Sequence, residues 1–393
     1  MAIPEVSRVR VVRVERTAQD VEWLAGRLAE VFAGATSVLV PAGGDELPPA
    51  VLQDVENRVR WLPAQVSLVV RTSGSTTGTG RLVGLSAAQL RASAVATGER
   101  LGGPCTWVLA LPPHHIAGLQ VVARAVGDGR DVVTVEGHVD GPSVASAVTE
   151  ALGRHEDGRV AISLVPTQLV RILDDPDGAA ALAGCAAVLL GGAAPSTDLV
   201  ERARALGIAV RVTYGMSETC GGCVYDGVPL DGVQVRLDDG RVLLSGPMLM
   251  SGYLDEGPVG PWLATQDLGH WQDGHLVIDG RVDDVINSGG LKIAAGQVLA
   301  QIRATGMVRD GVVLGLDDAV WGQVVTAVVV PGRGWRGPEA LRELVGRRLG
   351  RSHAPRVIAE VAELPMLASG KVDRLEARRI AEEARRSGAA WVR

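Results

Sequence analysis

Along the chain, short runs of unbroken apolar residues alternate with longer stretches in which apolar positions recur every three or four residues. The run Val66–Gly74 (VSLVVRTSG) is rich in β-branched residues and ends in glycine, serine and threonine, which predicts a buried strand feeding a loop. Ser86–Leu101 opens on a serine cap and continues with helix formers, predicting a helix. Thr106–Pro113 (TWVLALPP) predicts a second strand, and His115–Gly129 a helix that stops at glycine. Arg159–Asp175 and Ala186–Gly207 each repeat the strand-then-helix order. Strands that are apolar throughout, each followed by a helix, imply a largely parallel sheet covered on both faces. Between Pro229–Pro247 and Gly274–Asp284 the pattern changes to short alternating strands separated by Asp-Gly pairs, an antiparallel section. After Asp284 a smaller α+β segment runs to the end. A charged run follows a turn at Arg281–Asp284, so the expected boundary lies there, with a large α/β domain over 1–280 and a small α+β domain over 281–393. The first 40 residues carry no usable motif, and there is no internal repeat.

Composition narrows the function classes. With 393 residues, 47% apolar and 21% charged, the chain has ample core for a soluble globular protein of about two domains. A formal net charge of −6 offers no broad cationic field, which argues against a general nucleic-acid binder. Aromatic residues make up 3%, too few for a stacking platform on single strands. The charged opening (MAIPEVSRVRVVRVERTAQD) has no apolar core of a signal peptide, and no run of 18 apolar residues predicts a membrane span, so a cytoplasmic location is expected. The four cysteines include a CGGC pair, Cys220 and Cys223. No second CxxC or HxxxH accompanies it, so small buried residues in a glycine-rich turn are the expectation rather than zinc ligands. Of 39 lysines and arginines only Lys292 and Lys371 are lysine. Lysine is a compact, flexible point charge where arginine is a rigid fork, so two retained lysines beside glycines are candidates for chemistry.

Several loops carry chemical potential. Arg71–Arg81 (RTSGSTTGTGR) follows a strand and offers hydroxyls and backbone N–H groups at one point, as a polyphosphate requires. It lacks the GxxxxGK[ST] pattern, so a P-loop kinase is not implied. Val212–Gly222 (VTYGMSETCGG) puts Glu218 between Ser217 and Thr219 on a tight turn, a setting in which a carboxylate holds Mg²⁺ through phosphate oxygens. Ala264–Trp271 (ATQDLGHW) offers Asp267 on a turn before a strand. Gly280–Ile293 (GRVDDVINSGGLKI) offers Arg281, two aspartates and a Gly-Gly pair before Lys292.

In their order along the chain, TSGSTTGTG, PPHHIAG, GGAAP, YGMSET, TQDLG, GRVDDVINSGG and LASGKVDR resemble the acyl-adenylate-forming superfamily of acyl-CoA ligases, adenylation domains and luciferases. These motifs span Thr72 to Arg374, about three quarters of the chain. The resemblance implies that superfamily's fold: a large N-terminal domain of mixed sheets flanked by helices, and a small mobile C-terminal lid. It implies ATP, Mg²⁺ and CoA as co-substrates and cofactor, a small-molecule carboxylate as substrate, and a monomer or homodimer. By resemblance, Thr72, Ser73, Gly74, Ser75, Thr76 and Thr77 hold the β- and γ-phosphates. Gly192, Ala193 and Ala194 form the adenine wall, and Tyr214, followed by Gly215, stacks on the base. Glu218 is the magnesium acid, Thr219 contacts the α-phosphate, and Asp267 with Arg281 binds the ribose. His115 lines the acyl pocket with Thr167, Gln168, Gly191, Gly215, Met216 and Ser217, while His114 is structural or exposed. Asp283 is the hinge of the lid. The Gly289–Gly290 strand lines the CoA channel with Lys292 nearby. Lys371 bridges the acyl carboxylate and the α-phosphate. A mobile ammonium there lowers the barrier to bringing two anions together.

The sequence departs from the superfamily pattern in places. The phosphate loop has Gly78, Thr79 and Gly80 where lysine, proline and lysine are usual, which leaves clamping to hydroxyls, backbone and Arg81. GGLK replaces the usual Gly-Gly-Glu-Asn, with Lys292 a candidate to compensate, and Gln266 stands where glycine is commoner. The short N-terminal part resembles the o-succinylbenzoate–CoA ligases of menaquinone biosynthesis. The expectation is therefore an AMP-forming acid–thiol ligase acting on o-succinylbenzoate. The alternatives are a ligase for another aryl or aliphatic acid, a stand-alone adenylating enzyme, and a non-catalytic nucleotide-binding homologue.

Overall fold

The continuous apolar runs become the centre of a seven-stranded sheet. Its order is Val228–Pro229, Gly221–Tyr225, Val210–Met216, Ala187–Leu190, Val160–Leu164, Thr106–Leu109 and Val132–Thr134. The last five are mutually parallel, and Gly221–Tyr225 adds antiparallel to Val210–Met216. The computed structural model describes residues 9–44, 55, 57–58, 65–72, 80–367 and 371–393. Every residue of Thr106–Leu109, Val160–Leu164 and Ala187–Leu190 is buried, as expected of parallel strands covered on both faces. The helices end where the sequence predicts. Ser86 caps Ala87–Leu101, with a reciprocal bond between Ser86 and Gln89, and Gly129 closes Ile116–Asp128 in the left-handed conformation.

The strand order places chain reversal between Thr106–Leu109 and Val160–Leu164. The chain leaves Thr106–Leu109 for the edge strand Val132–Thr134, then returns to Val160–Leu164 and proceeds the other way. In open α/β sheets such a switch point opens a crevice outside the carboxyl ends of the strands.

A second sheet in the same unit runs Val9–Arg13, Val38–Ala42, Val66–Arg71, Leu82–Ser86, Gly252–Tyr253 and Gly257–Pro258. The N-terminal stretch without a motif thus supplies the edge strand Val9–Arg13 and its parallel neighbour Val38–Ala42, joined through the helix Ala18–Phe32.

The chain divides into two compact units, the second comprising, among the described residues, 236–243 and 264–393. Packing therefore places the division at Leu263/Ala264, ahead of the Arg281 boundary read from sequence. The hairpin Leu263–Gln272/His275–Arg281 belongs with the C-terminal part of the chain because Gly296 approaches it closely: a Cβ at Gly296 would lie 2.4 Å from the Asp279 carbonyl. This packing boundary concerns contacts, whereas the hinge expectation concerns motion. The Asp-Gly pairs Asp239–Gly240 and Asp273–Gly274 have both residues at positive φ, the geometry of two-residue hairpin turns. The remaining strands of this unit form a sheet with cores on both faces. Asp267 lies inside the strand Leu263–Gln272, not on a turn before one, because the pairing runs through it opposite Arg281. Gly289–Gly290 is likewise not a strand. It is the turn joining Val285–Ser288 to Leu291–Ala294, with φ of 58° and 81°. Among the described residues, no helix is long and apolar enough to cross a membrane.

Candidate active site

The residues singled out between Pro112 and Thr219 converge on the carboxyl ends of the parallel strands. His115 caps the helix after Thr106–Leu109, Thr167 and Gln168 open the helix after Val160–Leu164, Gly191–Ala194 follow Ala187–Leu190, and Tyr214–Thr219 close Val210–Met216. Gln168 joins two of these ends at the switch point. Its Oε1 accepts the Val165 N–H at 3.0 Å, and its Nε2 donates to the Ala110 carbonyl at 2.9 Å. His114 is buried, with Nδ1 3.3 Å from the Val14 carbonyl and its ring 4.4 Å from that of His115. Of the two expectations for His114, structural or exposed, burial removes the second. Gly192, Ala193 and Ala194 form an exposed ledge before the helix capped by Ser196.

The Glu218 turn is fixed from several sides. Ser217–Thr219 is a short 3₁₀ turn, and Cys220 follows in the left-handed conformation. Two buried side chains donate to the Cys220 carbonyl, Ser93 Oγ at 2.9 Å and Gln120 Nε2 at 2.7 Å. Thr219 is wholly buried. Its hydroxyl accepts the Met216 N–H at 3.0 Å and donates to the Gly221 carbonyl at 2.8 Å. Gly215 is required by close approach, since a Cβ there would lie 2.0 Å from the Gly221 carbonyl oxygen. The Glu218 backbone carbonyl accepts from Met250 N–H at 2.8 Å, and Tyr253 donates its hydroxyl to Glu218 Oε1, also at 2.8 Å. Burial, and then the Glu218 charge, push the Tyr253 phenol well above its ordinary value, so it remains a donor.

Of the residues expected to form a phosphate loop, Thr72 is described, and Ser73, Gly74, Ser75, Thr76 and Thr77 lie outside the described residues. Thr72 and Arg81 form the neck of that loop. The Thr72 N–H donates to the Arg81 carbonyl at 2.8 Å, and the Arg81 N–H donates to Thr72 Oγ1 at 2.7 Å. The Arg81 guanidinium lies 3.3 Å from the Tyr253 ring centroid and pairs with Asp255 at 3.2 Å and Glu256 at 2.7 Å. Partial burial opposes its charge, but the hydrogen bonds to Glu256 and Asp255 outweigh that and raise its pKa.

The second unit carries its own cluster. Asp267 is buried, with its carboxylate 3.6 Å from Arg281 Nη1. Arg281 forms a two-pronged pair with Asp283, both contacts 2.8 Å, and that pairing raises its pKa. Next to it, Asp284 pairs with Arg374 at 2.8 Å. Burial raises the Asp284 carboxyl above the usual range, while Arg374 pulls the other way. Lys371 sits in a closed loop: the Leu367 N–H donates to the Lys371 carbonyl, and the Asp373 N–H to the Pro365 carbonyl, both at 2.8 Å. Asp373 then caps the helix Arg374–Ser387. Lys292 is exposed opposite Asn287.

The metal question has a chemical answer. Among the described residues, no group of three or more His, Cys, Asp and Glu gathers to hold an ion. A single carboxylate such as Glu218 suits Mg²⁺, which keeps waters and takes its remaining oxygens from substrate phosphates. The cysteines are buried and unpaired, and burial drives Cys185 and Cys223 up to about 12, in line with their reading as inert packing residues.

Comparison with known proteins gives the family of the chain. Residues 8–254 match the model of the AMP-binding enzyme, and residues 300–371 that of the AMP-binding enzyme C-terminal domain. The chain belongs to the AMP-binding enzyme family. It is 43% identical over 385 residues to a Mycobacterium tuberculosis protein named "Probable 2-succinylbenzoate–CoA ligase", covering 91% of this chain and 99% of that protein. Its fold is that of o-succinylbenzoate CoA synthetase (MenE) from Bacillus subtilis, solved in complex with the acyl-adenylate intermediate OSB-AMP. The TM-score is 0.72 at 23% identity, over 94% of this chain and 88% of that one. The same Bacillus subtilis enzyme in complex with ATP and magnesium ion gives a TM-score of 0.71 at 22% identity, with 94% and 88% coverage.

Sequence reasoning missed Tyr253, Ser93 and Gln120. A signal for Tyr253 existed in its rarity: the chain has three tyrosines. Tyr214 and Tyr225 lie on the strands either side of the Glu218 turn, and Tyr253 reaches Glu218 itself.

Proposed function

We propose that this chain is a 2-succinylbenzoate–CoA ligase working in the cytoplasm, where ATP and CoA are supplied. The reading rests above all on the 43% identity that spans 99% of a relative named for that reaction. The layout of the strand ends supports the reaction class. In the first half-reaction a carboxylate oxygen of the acid attacks the α-phosphorus of ATP, the bond to the β-phosphate oxygen breaks, and pyrophosphate leaves. In the second, the CoA thiolate attacks the acyl carbonyl and AMP leaves.

His115, Gln168, Gly191 and Ser217 would border the acyl group at the switch point, and the Gly192–Ala194 ledge and Tyr214 would take the adenine. Asp267, held beside Arg281, would accept from the ribose hydroxyls. Glu218 would hold Mg²⁺, which screens the phosphate charge. Thr219, with its hydroxyl engaged by backbone, would contribute through the turn it fixes. Lys371 would place one positive charge between carboxylate and α-phosphate, worth a factor of about 10² or more in rate. Rotation of the C-terminal lid about Asp283 would then exchange Lys371 for the Gly289–Gly290 turn and the incoming thiol.

The test is pyrophosphate release from Mg-ATP with a panel of carboxylic acids that includes o-succinylbenzoate, each with and without CoA. CoA-stimulated release selective for o-succinylbenzoate is the expected result. Selective release with another acid replaces the substrate and keeps the reaction class. No release with any acid overturns the ligase reading.

A further inference from the structure

The geometry points to Tyr253 as a positioning residue that orients Glu218 for its metal, held in place by Arg81 at the neck of the phosphate loop. This deepens the proposed function and rests on it.

Four contacts form one chain of support. Thr72 and Arg81 bond reciprocally at the base of the loop expected to carry the β- and γ-phosphates. The Arg81 guanidinium carbon lies over the Tyr253 ring, 3.3 Å from its centroid. Asp255 and Glu256, two and three residues beyond Tyr253, grip the same guanidinium. Tyr253 in turn donates to Glu218 Oε1 at 2.8 Å.

Charge accounting decides what Arg81 does. The loop lacks the lysines usual in its superfamily, which makes Arg81 a candidate phosphate clamp. Two carboxylates already match its single charge, and its guanidinium carbon sits over the Tyr253 ring, a cation–π contact. Arg81 therefore holds the Tyr253 ring. With the ring held, the hydroxyl occupies one oxygen of Glu218 and leaves the other for the metal. A carboxylate fixed this way loses less rotational freedom on binding an ion that demands near-ideal octahedral geometry. The same chain of contacts ties Glu218 to Thr72 and Arg81 at the stem of the loop.

The experiment measures ATP binding to the full-length protein by titration calorimetry, with and without Mg²⁺, so that no turnover is involved. The quantity read is the factor by which Mg²⁺ tightens ATP binding. Tyr253→Phe keeps the ring for Arg81 and removes the hydroxyl, and should lower that factor about tenfold, the value of one hydrogen bond to a charged group. Arg81→Ala should lower it similarly. In a Glu218→Gln background, Tyr253→Phe should change the factor no further, because the partner charge is already gone. The proposal is overturned if Tyr253→Phe retains the wild-type factor, if it weakens binding equally with and without Mg²⁺, or if its effect persists in the Glu218→Gln background. A wild-type chain that binds no ATP under either condition overturns the ligase reading and this proposal together.

Discussion

Removing the guanidinium of Arg374 should strand a partly buried carboxylate. Asp284 and Arg374 meet at 2.8 Å with side chains 15% and 26% exposed, and Arg374 also donates to the Val313 carbonyl. At an effective dielectric near 20, unit charges at that separation attract by roughly 6 kcal/mol, and desolvation of both groups offsets most of it. Breaking one side of a fully buried pair costs about 3–5 kcal/mol; residual exposure places Arg374→Ala at about 2–3 kcal/mol. Urea unfolding followed by tryptophan fluorescence is the assay, with Trp335 and Trp391 packed on the core of this unit as reporters. Asp284→Asn combined with Arg374→Ala should recover most of the loss, because an amide needs no counter-ion. The pH dependence has a definite sign. Burial already holds Asp284 above the usual carboxylate range, and loss of Arg374 raises it further. An acid whose folded pKa exceeds its unfolded one loses stability as pH rises through the folded value. The Arg374→Ala deficit should therefore shrink as the pH is lowered from neutral toward the raised Asp284 value. Wild-type stability for Arg374→Ala at neutral pH, or a double variant no better than Arg374→Ala alone, would refute the argument.

Three further outcomes are expected. Gly215→Ala pushes a methyl toward the Gly221 carbonyl and the Gly222 Cα, so it should cost about 1–3 kcal/mol in melting experiments and sharply reduce pyrophosphate release. Lys371→Ala should slow single-turnover acyl-AMP formation by about 10² or more, and Lys371→Arg should not restore it, since the planar fork cannot replace a point charge. Gln120→Leu removes one of two donors to the Cys220 carbonyl and should lower stability by about 1 kcal/mol in the same unfolding assay; a neutral result would assign the carbonyl to Ser93 alone.

Much of this architecture is legible because it is written locally. Ser86, Gly129 and the pairs Asp239–Gly240 and Asp273–Gly274 each act through backbone geometry within a few residues of themselves, and each lies where the pattern places it, whereas Asp279–Gly280 falls inside the strand His275–Arg281. The strand ends are legible too, since apolar runs stop where the chain must turn. The features that escape depend on partners far away in sequence. Arg81 reads as a free cation beside a phosphate loop until Asp255 and Glu256, more than 170 residues later, are brought to it. Asp267 reads as a turn residue because Gly269 lies close behind it, yet a bulge between Leu268 and Gly269 absorbs that glycine within a continuous ladder. The Gly289–Gly290 pair reads as strand from its superfamily role, although two adjacent glycines between alternating strands are themselves a hairpin signal.

The one-sided layout of the parallel strands bears on engineering. The connections at their opposite ends, around Gly129, Gly153–Gly158, Gly184 and Leu206–Gly207, carry none of the residues assigned chemistry. Gly207 is an exposed left-handed turn between the helix Thr197–Ala205 and the strand Val210–Met216. New termini, a purification tag or a fused fluorescent reporter placed there would meet solvent, at the end of the sheet away from the residues proposed to form the site. A circular permutant opened at Gly207 would move the breakpoint of the chain while leaving every side chain of the proposed site on its own strand end.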